Sequence, residues 1–302
     1  MKVKNIFATG MIALLSGCVS NNAYLERRHV LLNDRNFKIV DNTLTEESTS
    51  DSEELKFGIV SDIHGEREKA SRIAERFSRM DLDGIIVAGD ISRYFSDKGK
   101  IPEAVEIRSS LVPFLETKVP VYVIAGNHET KNKYFKTLEK LSKENSNLFD
   151  LAVLKYADLK GVNIFGVSGG DFILPLGGFS TELEIRKVDS RVFGLDSDPV
   201  LMISHLPPKF NHEGAIDCVY DVKIGETFEK DGEKFFKGNV IKDRHIGEHL
   251  VYEGRAVLRV DGRNEGVKKL SDLLIGRGIN FSVSGHYHLN RGANNFERNI
   301  KE

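Results

Sequence analysis

One stretch constrains the fold more than any other: Asp83-Gly84-Ile85-Ile86-Val87-Ala88-Gly89-Asp90. Four consecutive apolar residues between two glycines, three of them β-favouring, read as a strand buried on both faces, as in a parallel sheet covered by helices. Gly89 lets the backbone turn where the strand ends. Asp90 then stands at the carboxyl end of that strand, where open α/β sheets gather their ligands. After a single strand a Gly-Asp pair is usually no more than a turn. Here the layout recurs at other strand ends, each carrying metal-ligand side chains.

The segments before and after repeat the pattern. Residues 55–61 form an apolar run rich in Ile and Val that ends in Asp62-Ile63-His64-Gly65. Ala70, Ile73, Ala74 and Phe77 follow at the spacing of an amphipathic helix. After the Asp90 strand, Pro102 suits the first turn of a second helix reaching to about Thr117, although Pro113 argues for a kink or an earlier end. Residues 119–125 form the third strand, ending in Gly126-Asn127-His128-Glu129, and Tyr134, Phe135, Leu138 and Leu141 mark a third helix. This β-α-β-α-β-α order predicts parallel strands with right-handed crossovers. Beyond Phe149 the pattern changes to strands of a second sheet at residues 151–156 and 162–167. Residues 171–197 carry no readable period. Residues 199–204 form a strand ending in His205-Leu206-Pro207-Pro208. Residues 207–250 hold several glycines and charges, and are where substrate specificity is expected. Val267, Leu270 and Leu274 mark a last helix, and residues 280–284 a last strand ending in Gly285-His286-Tyr287-His288.

The N-terminus reads differently. Lys2 and Lys4 precede a short apolar run, residues 6–15, too brief to span a bilayer. It ends in Leu15-Ser16-Gly17-Cys18, which resembles the lipobox of prokaryotic lipoproteins. That resemblance implies cleavage before Cys18, acylation of its thiol, and a domain held on the extracytoplasmic side of the cell membrane. Cys218 is then the one remaining cysteine, which excludes an intramolecular disulfide in the mature chain. Residues 43–54 are polar, acidic and free of aromatics. The expected organisation is therefore a signal peptide over residues 1–17, a flexible tether over 18–54 reaching roughly 30–35 Å, and one domain over 55–302. A strand around Phe37, Ile39 and Val40 is left open. With 40% hydrophobic and 29% charged residues and a net charge of -2, the 302-residue chain has the make-up of a globular protein and no global attraction to nucleic acid.

Taken together, the strand ends collect two Asp, one Asn and five His. Carboxylates and imidazoles suit first-row metal ions. Asp62 and His64, two apart on an extended segment, would point the same way and grip one ion. His286 and His288 would do likewise, or divide between two ions across a turn.

In this order the motifs Asp-x-His, Gly-Asp, Gly-Asn-His-Glu, His and Gly-His-x-His resemble those of calcineurin-like metallophosphoesterases, over residues 55 to about 290. The resemblance implies a four-layer α-β-β-α sandwich of two mixed sheets. It implies two divalent or trivalent ions of the Mn, Fe, Zn or Ni type. One would be held by Asp62, His64 and His288, the other by Asn127, His205 and His286, with Asp90 bridging. It further implies that a water shared by the ions attacks phosphorus, while His128, outside the ligand set, protonates the leaving oxygen or stabilises its charge. The substrate would be a phosphomonoester or phosphodiester. The alternative is an inactive scaffold or metal-capturing lipoprotein, which the intact motif set disfavours. Protein phosphatases of the superfamily carry Gly-Asp-x-x-Asp-Arg-Gly. Here Arg93 comes one place early with no following Gly, which disfavours a protein substrate. The segment from Ser204 to Pro208, then Asp217 and His245, resembles a prokaryotic branch. His245 is either a substrate contact or an exposed loop residue, and His212 and His249 are expected at the surface. Few residues follow His288, so the second sheet is expected to have a lean C-terminal edge. Oligomeric state is not legible.

Overall fold

Residues 28–47, expected as tether, fold instead as a three-stranded antiparallel meander: β1 (Arg28–Leu32), β2 (Arg35–Val40) and β3 (Thr43–Glu47). The computed structural model describes residues 28–47, 54–93, 101–154, 156–170, 177–191, 199–210, 217–230, 233–245, 251–252, 255–256, 258–264 and 266–286. Two two-residue turns drive the meander. Asn33-Asp34 and Asp41-Asn42 all take positive φ, the arrangement that matches the twist of a tight hairpin. Alternate residues then face one way, and Val30, Leu32, Phe37, Ile39 and Leu44 are buried. The acidic character of β3 points the wrong way, because its Glu46 is not solvated. Glu46 accepts two hydrogen bonds from the Arg35 guanidinium, at 2.7 and 2.8 Å, and Arg35 also donates to the Asp83 carbonyl. Asp83 is paired in turn with Lys160 at 2.8 Å. The meander is thus bolted to the loop that precedes the Asp90 strand.

The first half of the chain builds a small sheet of order β4-β5-β6-β7: β4 (Phe57–Val60), β5 (Gly84–Ala88), β6 (Val121–Ile124) and β7 (Leu148–Asp150), all parallel. Its crossovers are α1 (Arg67–Phe77), α2 (Glu103–Glu116) and α3 (Lys131–Glu144). α2 passes through Pro113 without ending, giving up one backbone bond to keep that residue buried among apolar neighbours. The expected strand over 151–156 divides otherwise. β7 ends at Asp150, and β8 (Tyr156–Leu159) opens a hairpin with β9 (Val162–Val167) through Lys160-Gly161, both at positive φ.

The larger sheet has seven strands in the order β1-β2-β3-β8-β9-β10-β18, with β10 (Val200–Ser204) and β18 (Phe281–Ser284). β9, β10 and β18 run parallel, and β8 runs against β9. α4 (Thr181–Arg191), in the stretch without a readable period, and α5 (Lys268–Gly276) cover its outer face. Three apolar cores define four layers. Ile86, Ala88, Tyr122 and Ile124 of the small sheet meet Phe37, Ile164, Leu201 and Ile203 of the large one. Ile85, Val87, Val121 and Val123 face α1 to α3. Phe165, Val167, Val200 and Met202 face α4 and α5. The α-β-β-α sandwich is as expected, with one mixed sheet and one purely parallel rather than two mixed.

Between β10 and α5 the chain makes an excursion, built on a sheet of order β14-β11-β17: β11 (Cys218–Lys223), β14 (Val240–His245) and β17 (Leu258–Asn264). Two short antiparallel pairs complete it, β12 (Phe228–Lys230) with β13 (Glu233–Phe235) and β15 (Val251–Tyr252) with β16 (Arg255–Ala256). Its two stems meet beside His205. The Val267 amide donates to Pro207, and the Lys209 amide to Val267. The buried Asp217 carboxylate accepts from Phe210 and Gly266 amides at 3.0 and 3.1 Å. His245 ends a strand rather than lying in a loop, opposite Val219. Among the described residues β18 is the last strand on its side of the sheet, and His212, His249 and everything after His286 lie outside them.

Candidate metal centre

Seven of the side chains singled out from the sequence sit just past the carboxyl end of a strand: Asp62 and His64 after β4, Asp90 after β5, Asn127 and His128 after β6, His205 after β10 and His286 after β18. Two parallel sheet edges meet there. The approach is close enough that glycine is required at two positions. A Cβ on Gly126 would fall 2.1 Å from Asp90 Oδ1, and one on Gly89, at φ +90°, would fall 2.7 Å from His205 Nδ1.

The backbone is locally strained. Asp62, His64, Asp90 and His286 take φ of 56, 50, 49 and 72°. Asp and His tolerate this region better than most residues, yet each costs of order 1–3 kcal/mol, the kind of strain that clusters at functional sites. It corrects the expectation of an extended Asp62-x-His64 segment. The pair is instead wrapped in a turn, held when Asp62, His64 and Gly65 amides donate to the carbonyls of Gly89, Asp90 and Ile91 at 3.0, 3.0 and 2.8 Å. Asp62 Oδ1 then lies 3.9 Å from His64 Nε2, and Asp62 Oδ2 accepts from the His286 amide at 2.9 Å. Asp90 Oδ1 accepts from the His128 amide at 3.0 Å. The two carboxylates, Asp62 and Asp90, are therefore each oriented by the backbone of a cluster histidine.

Asp90, 1% exposed, is at the centre. Its Oδ2 lies 3.3 Å from His205 Nε2 and 3.4 Å from His128 Nε2. Among the described residues, two groups have nitrogen and oxygen donors within 4.8 Å of one another: His64, Asp90 and His128, and Asp90, His205 and His286. Asp90 belongs to both. His205 shows what this donor set requires. Its Nδ1 is 2.9 Å from the Ala88 carbonyl, an acceptor only, so Nδ1 carries a proton. Nε2 faces Asn127 Oδ1 at 2.8 Å and Asp90 Oδ2 at 3.3 Å. Three lone-pair atoms converging in a dry site need a positive charge among them. A proton serves in the metal-free protein: burial works against it, but the Asp90 carboxylate prevails and raises His205 to about 9. A metal ion with imidazole and carboxylate affinity fits the same place.

The other titrations follow from the same packing. Burial would raise Asp90, but His205 and His128 hold it well below the usual carboxylate range. Burial lowers His128 to about 4, helped by His64 and His205 against the pull of Asp90. His64 and His128 contact through Nδ1 atoms 3.1 Å apart, one donating and the other accepting.

Glu129 enters the sequence reading only as part of a motif, and its task is visible only in the fold. Fully buried, it accepts from the Ser92 amide at 2.9 Å and the Ser92 hydroxyl at 3.0 Å on one oxygen, and from the Gly126 amide at 2.7 Å on the other. It clamps the Asp90 loop to the Asn127 loop. Burial and the Asp90 charge raise it to about 7 against those donors. An acid directly after Asn-His was the only signal available. Of the residues singled out from sequence, Asp62, His64, Asp90, Asn127, His128, His205 and His286 are brought together, whereas His288 and Cys18 lie outside the described residues.

Residues 55–290 match the family described as calcineurin-like phosphoesterase. Among solved structures, one chain aligns at TM-score 0.50 and 11% identity, covering 78% of this chain and 85% of the other, which supports the fold alone. TT1561 of Thermus thermophilus aligns at 13% identity over 53% of this chain and 71% of its own, with TM-score 0.44. A Pseudomonas putida nuclease MPE aligns at 11% identity over 65% and 80%, with TM-score 0.24. No curated protein matches.

Proposed function

The chain belongs to the calcineurin-like phosphoesterase family, and on that premise we propose that it is a metal-dependent phosphoesterase hydrolysing a phosphomonoester or phosphodiester. One observation carries the reading: the buried Asp90 carboxylate belongs to two donor groups, one with His205 and His286 and one with His64 and His128, of which His128 is kept here for the proton rather than for an ion. A shared carboxylate suits two ions ~3.5–4 Å apart, the spacing used in phosphoester displacement. Asp62, His64 and His288 would hold one ion, and Asn127, His205 and His286 the other. When bound, such a pair supplies Lewis acidity to the phosphoryl oxygens and lowers the pKa of water.

The protein's own groups do the rest. Asp90 is kept ionised by His205 and His128, so it presents charge to cations without a proton to shed. His205 and His286, with ring centroids 5.1 Å apart and edge to face, are fixed before any ligand arrives. The strained turns at Asp62, His64 and Asp90 set donor directions that a relaxed chain would not hold. In hydrolysis water oxygen bonds to phosphorus, the ester P–O bond breaks, and a proton must reach the departing oxygen. His128 is the group placed to hold or deliver that proton. It sits on the Asp90 carboxylate, its side chain 17% exposed, and His64 orients it through Nδ1.

We further propose that Cys18 is acylated and anchors the domain on the extracytoplasmic face of the cell membrane. The Leu15-Ser16-Gly17-Cys18 sequence supports this. The metal-loaded chain should hydrolyse bis-p-nitrophenyl phosphate or p-nitrophenyl phosphate. Failure on both, with ions bound, would refute the activity. Labelled fatty acid should mark the wild type and not Cys18→Ser, and equal labelling would refute the anchor.

A further inference from the structure

α3 begins at the metal centre. Its first residue, Lys131, follows Glu129 by two, and Thr130 between them donates its amide to the Glu103 carboxylate at 2.6 Å. The Lys131 amide donates to the Gly177 carbonyl. Because α3 joins two parallel strands, β6 and β7, it runs from this fixed start back toward the opposite end of the sheet. Its inner side buries Tyr134, Leu138 and Leu141. Its outer side carries Lys133, Lys136, Lys140 and Lys143, all exposed. At 3.6 residues per turn these four fall within an arc of about 80° and span about 15 Å along the axis. The stripe starts in the first turn, five residues past His128.

The stripe keeps its charge. α3 holds five lysines and two glutamates. Glu144 is taken by Arg108 of α2 at 2.6 Å, with Lys140 adding a weaker attraction, and Glu139 by Lys143 at 2.8 Å. Lys133 and Lys136 form no ion pair among the described residues. The cations of α4 and α5 are placed otherwise. Arg186 meets Glu182, Lys187 meets Glu184, Lys268 meets Asp272 and Lys269 meets Glu182. Successive lysines of the α3 stripe stand three or four residues apart, the spacing at which like charges on a helix repel. The stripe therefore costs some stability in the free protein, and an anion lying along it would relieve that cost.

We propose that α3 is a track for phosphates, and that the ester cut at the metal centre is one link in a chain of phosphodiesters. Phosphates next to the scissile one pass the start of the helix and meet the lysines in turn. A net charge of -2 gives the whole chain no pull on a polyanion, so the attraction is local to this face and guides the polymer toward the centre. The proposal rests on the phosphoesterase reading above and narrows it to a polyanionic substrate. Lysines act here as point charges that read no sequence, so nucleic acid and polyol phosphate polymers offer the same chemistry.

The test uses the full, metal-loaded chain and two pairs of probes that differ in length. One pair is a thymidine dinucleotide and a thymidine dodecamer, the other glycerophosphoglycerol and poly(glycerol phosphate). Each is assayed for turnover and as a competitor of bis-p-nitrophenyl phosphate hydrolysis. In at least one pair the long form should act at a phosphate concentration ~10-fold or more below the short form, as three exposed ion pairs allow. The pair that shows this identifies the polymer. The advantage should fall as salt rises, with a slope of log affinity against log salt of about -0.7 per lysine engaged. Lys133→Gln with Lys136→Gln and Lys140→Gln should remove the advantage and reduce that slope by about 2, while the melting temperature holds. No advantage of length in either pair, or an advantage and slope that survive the triple variant, would overturn the proposal and leave the phosphoesterase reading standing. So would a variant whose only loss is binding to phosphatidylglycerol vesicles, which would make the stripe a membrane contact. Turnover of no ester, bis-p-nitrophenyl phosphate included, would remove that reading and this inference with it.

Discussion

Glu129→Ala should weaken the fold and the metal centre together, and the size of the effect can be worked from its contacts. The carboxylate accepts from two amides, Ser92 and Gly126, and one hydroxyl, Ser92 Oγ, in a fully buried setting. Removing it leaves two amides without an acceptor, at about 1–3 kcal/mol each, while the hydroxyl can rotate. Against this stands relief from burial and from the Asp90 charge, which in that order raise Glu129 to about 7. The net loss should be about 3 kcal/mol. For a chain of this size that lowers the melting temperature by roughly 6–12 °C. Glu129→Gln should lose about half as much, because its one oxygen can serve only one of the two amides. Metal affinity should fall ~10–100-fold, as it does when the partners that orient metal ligands are removed, since Asp90 and Asn127 ride on the two loops being unclamped. Thermal unfolding in chelator measures the first quantity and calorimetric metal titration the second. An alanine variant that melts within ~2 °C of the wild type and binds metal as tightly would refute the clamp.

The remaining expectations concern other parts of the molecule. Glu46→Gln strips the half-buried Arg35 of its carboxylate and should cost about 2–3 kcal/mol, less than a fully buried pair because Arg35 keeps some solvent. A melting temperature unchanged by it would show that the meander is detachable. In the metal-free protein His205 is raised from 6.5 to about 9. Its protonated form therefore contributes stability that is fully present below pH 6.5 and lost as pH rises through about 9. The stability difference between wild type and His205→Gln should shrink over that window by about 3 kcal/mol, and metal should abolish the trend. A flat difference in chelator would contradict the geometry. His128→Ala should keep its metals and lose ~10²–10⁴ in rate, more on an alkyl phosphoester than on a nitrophenyl one whose leaving group needs little protonation. Equal turnover of wild type and variant on both esters would remove His128 from the chemistry.

What was legible in the sequence was whatever repeats locally. Apolar runs such as 85–88 and 121–124, each closed by a glycine and a ligand residue, announce buried strands and their functional ends without knowledge of partners. The parallel small sheet and the cluster around Asp90 follow. The meander was not legible by composition, because Glu46 and Arg35 neutralise each other only once folded, and an acidic run looks solvated until its partner is known. Period and turn chemistry did carry the signal, in Asn33-Asp34 and Asp41-Asn42 set between alternating apolar residues. The turn geometry at Asp62-x-His64 was beyond reach for another reason. Its positive φ angles are imposed by carbonyls at Gly89 to Ile91, some 27 residues away in sequence. Glu129 is similar, since two of its three donors belong to Ser92, in the Asp90 loop, and only the third, the Gly126 amide, is in its own.

The proposed phosphoesterase depends on Asp90 serving two metal ions at once. Metal content and phosphoester turnover of the wild type and Asp90→Asn, measured on the same preparations, test it most directly. Two ions per chain and turnover are expected in the wild type, and loss of both bound metal and turnover in the variant. A variant that retains two ions per chain and hydrolyses at the wild-type rate would contradict it.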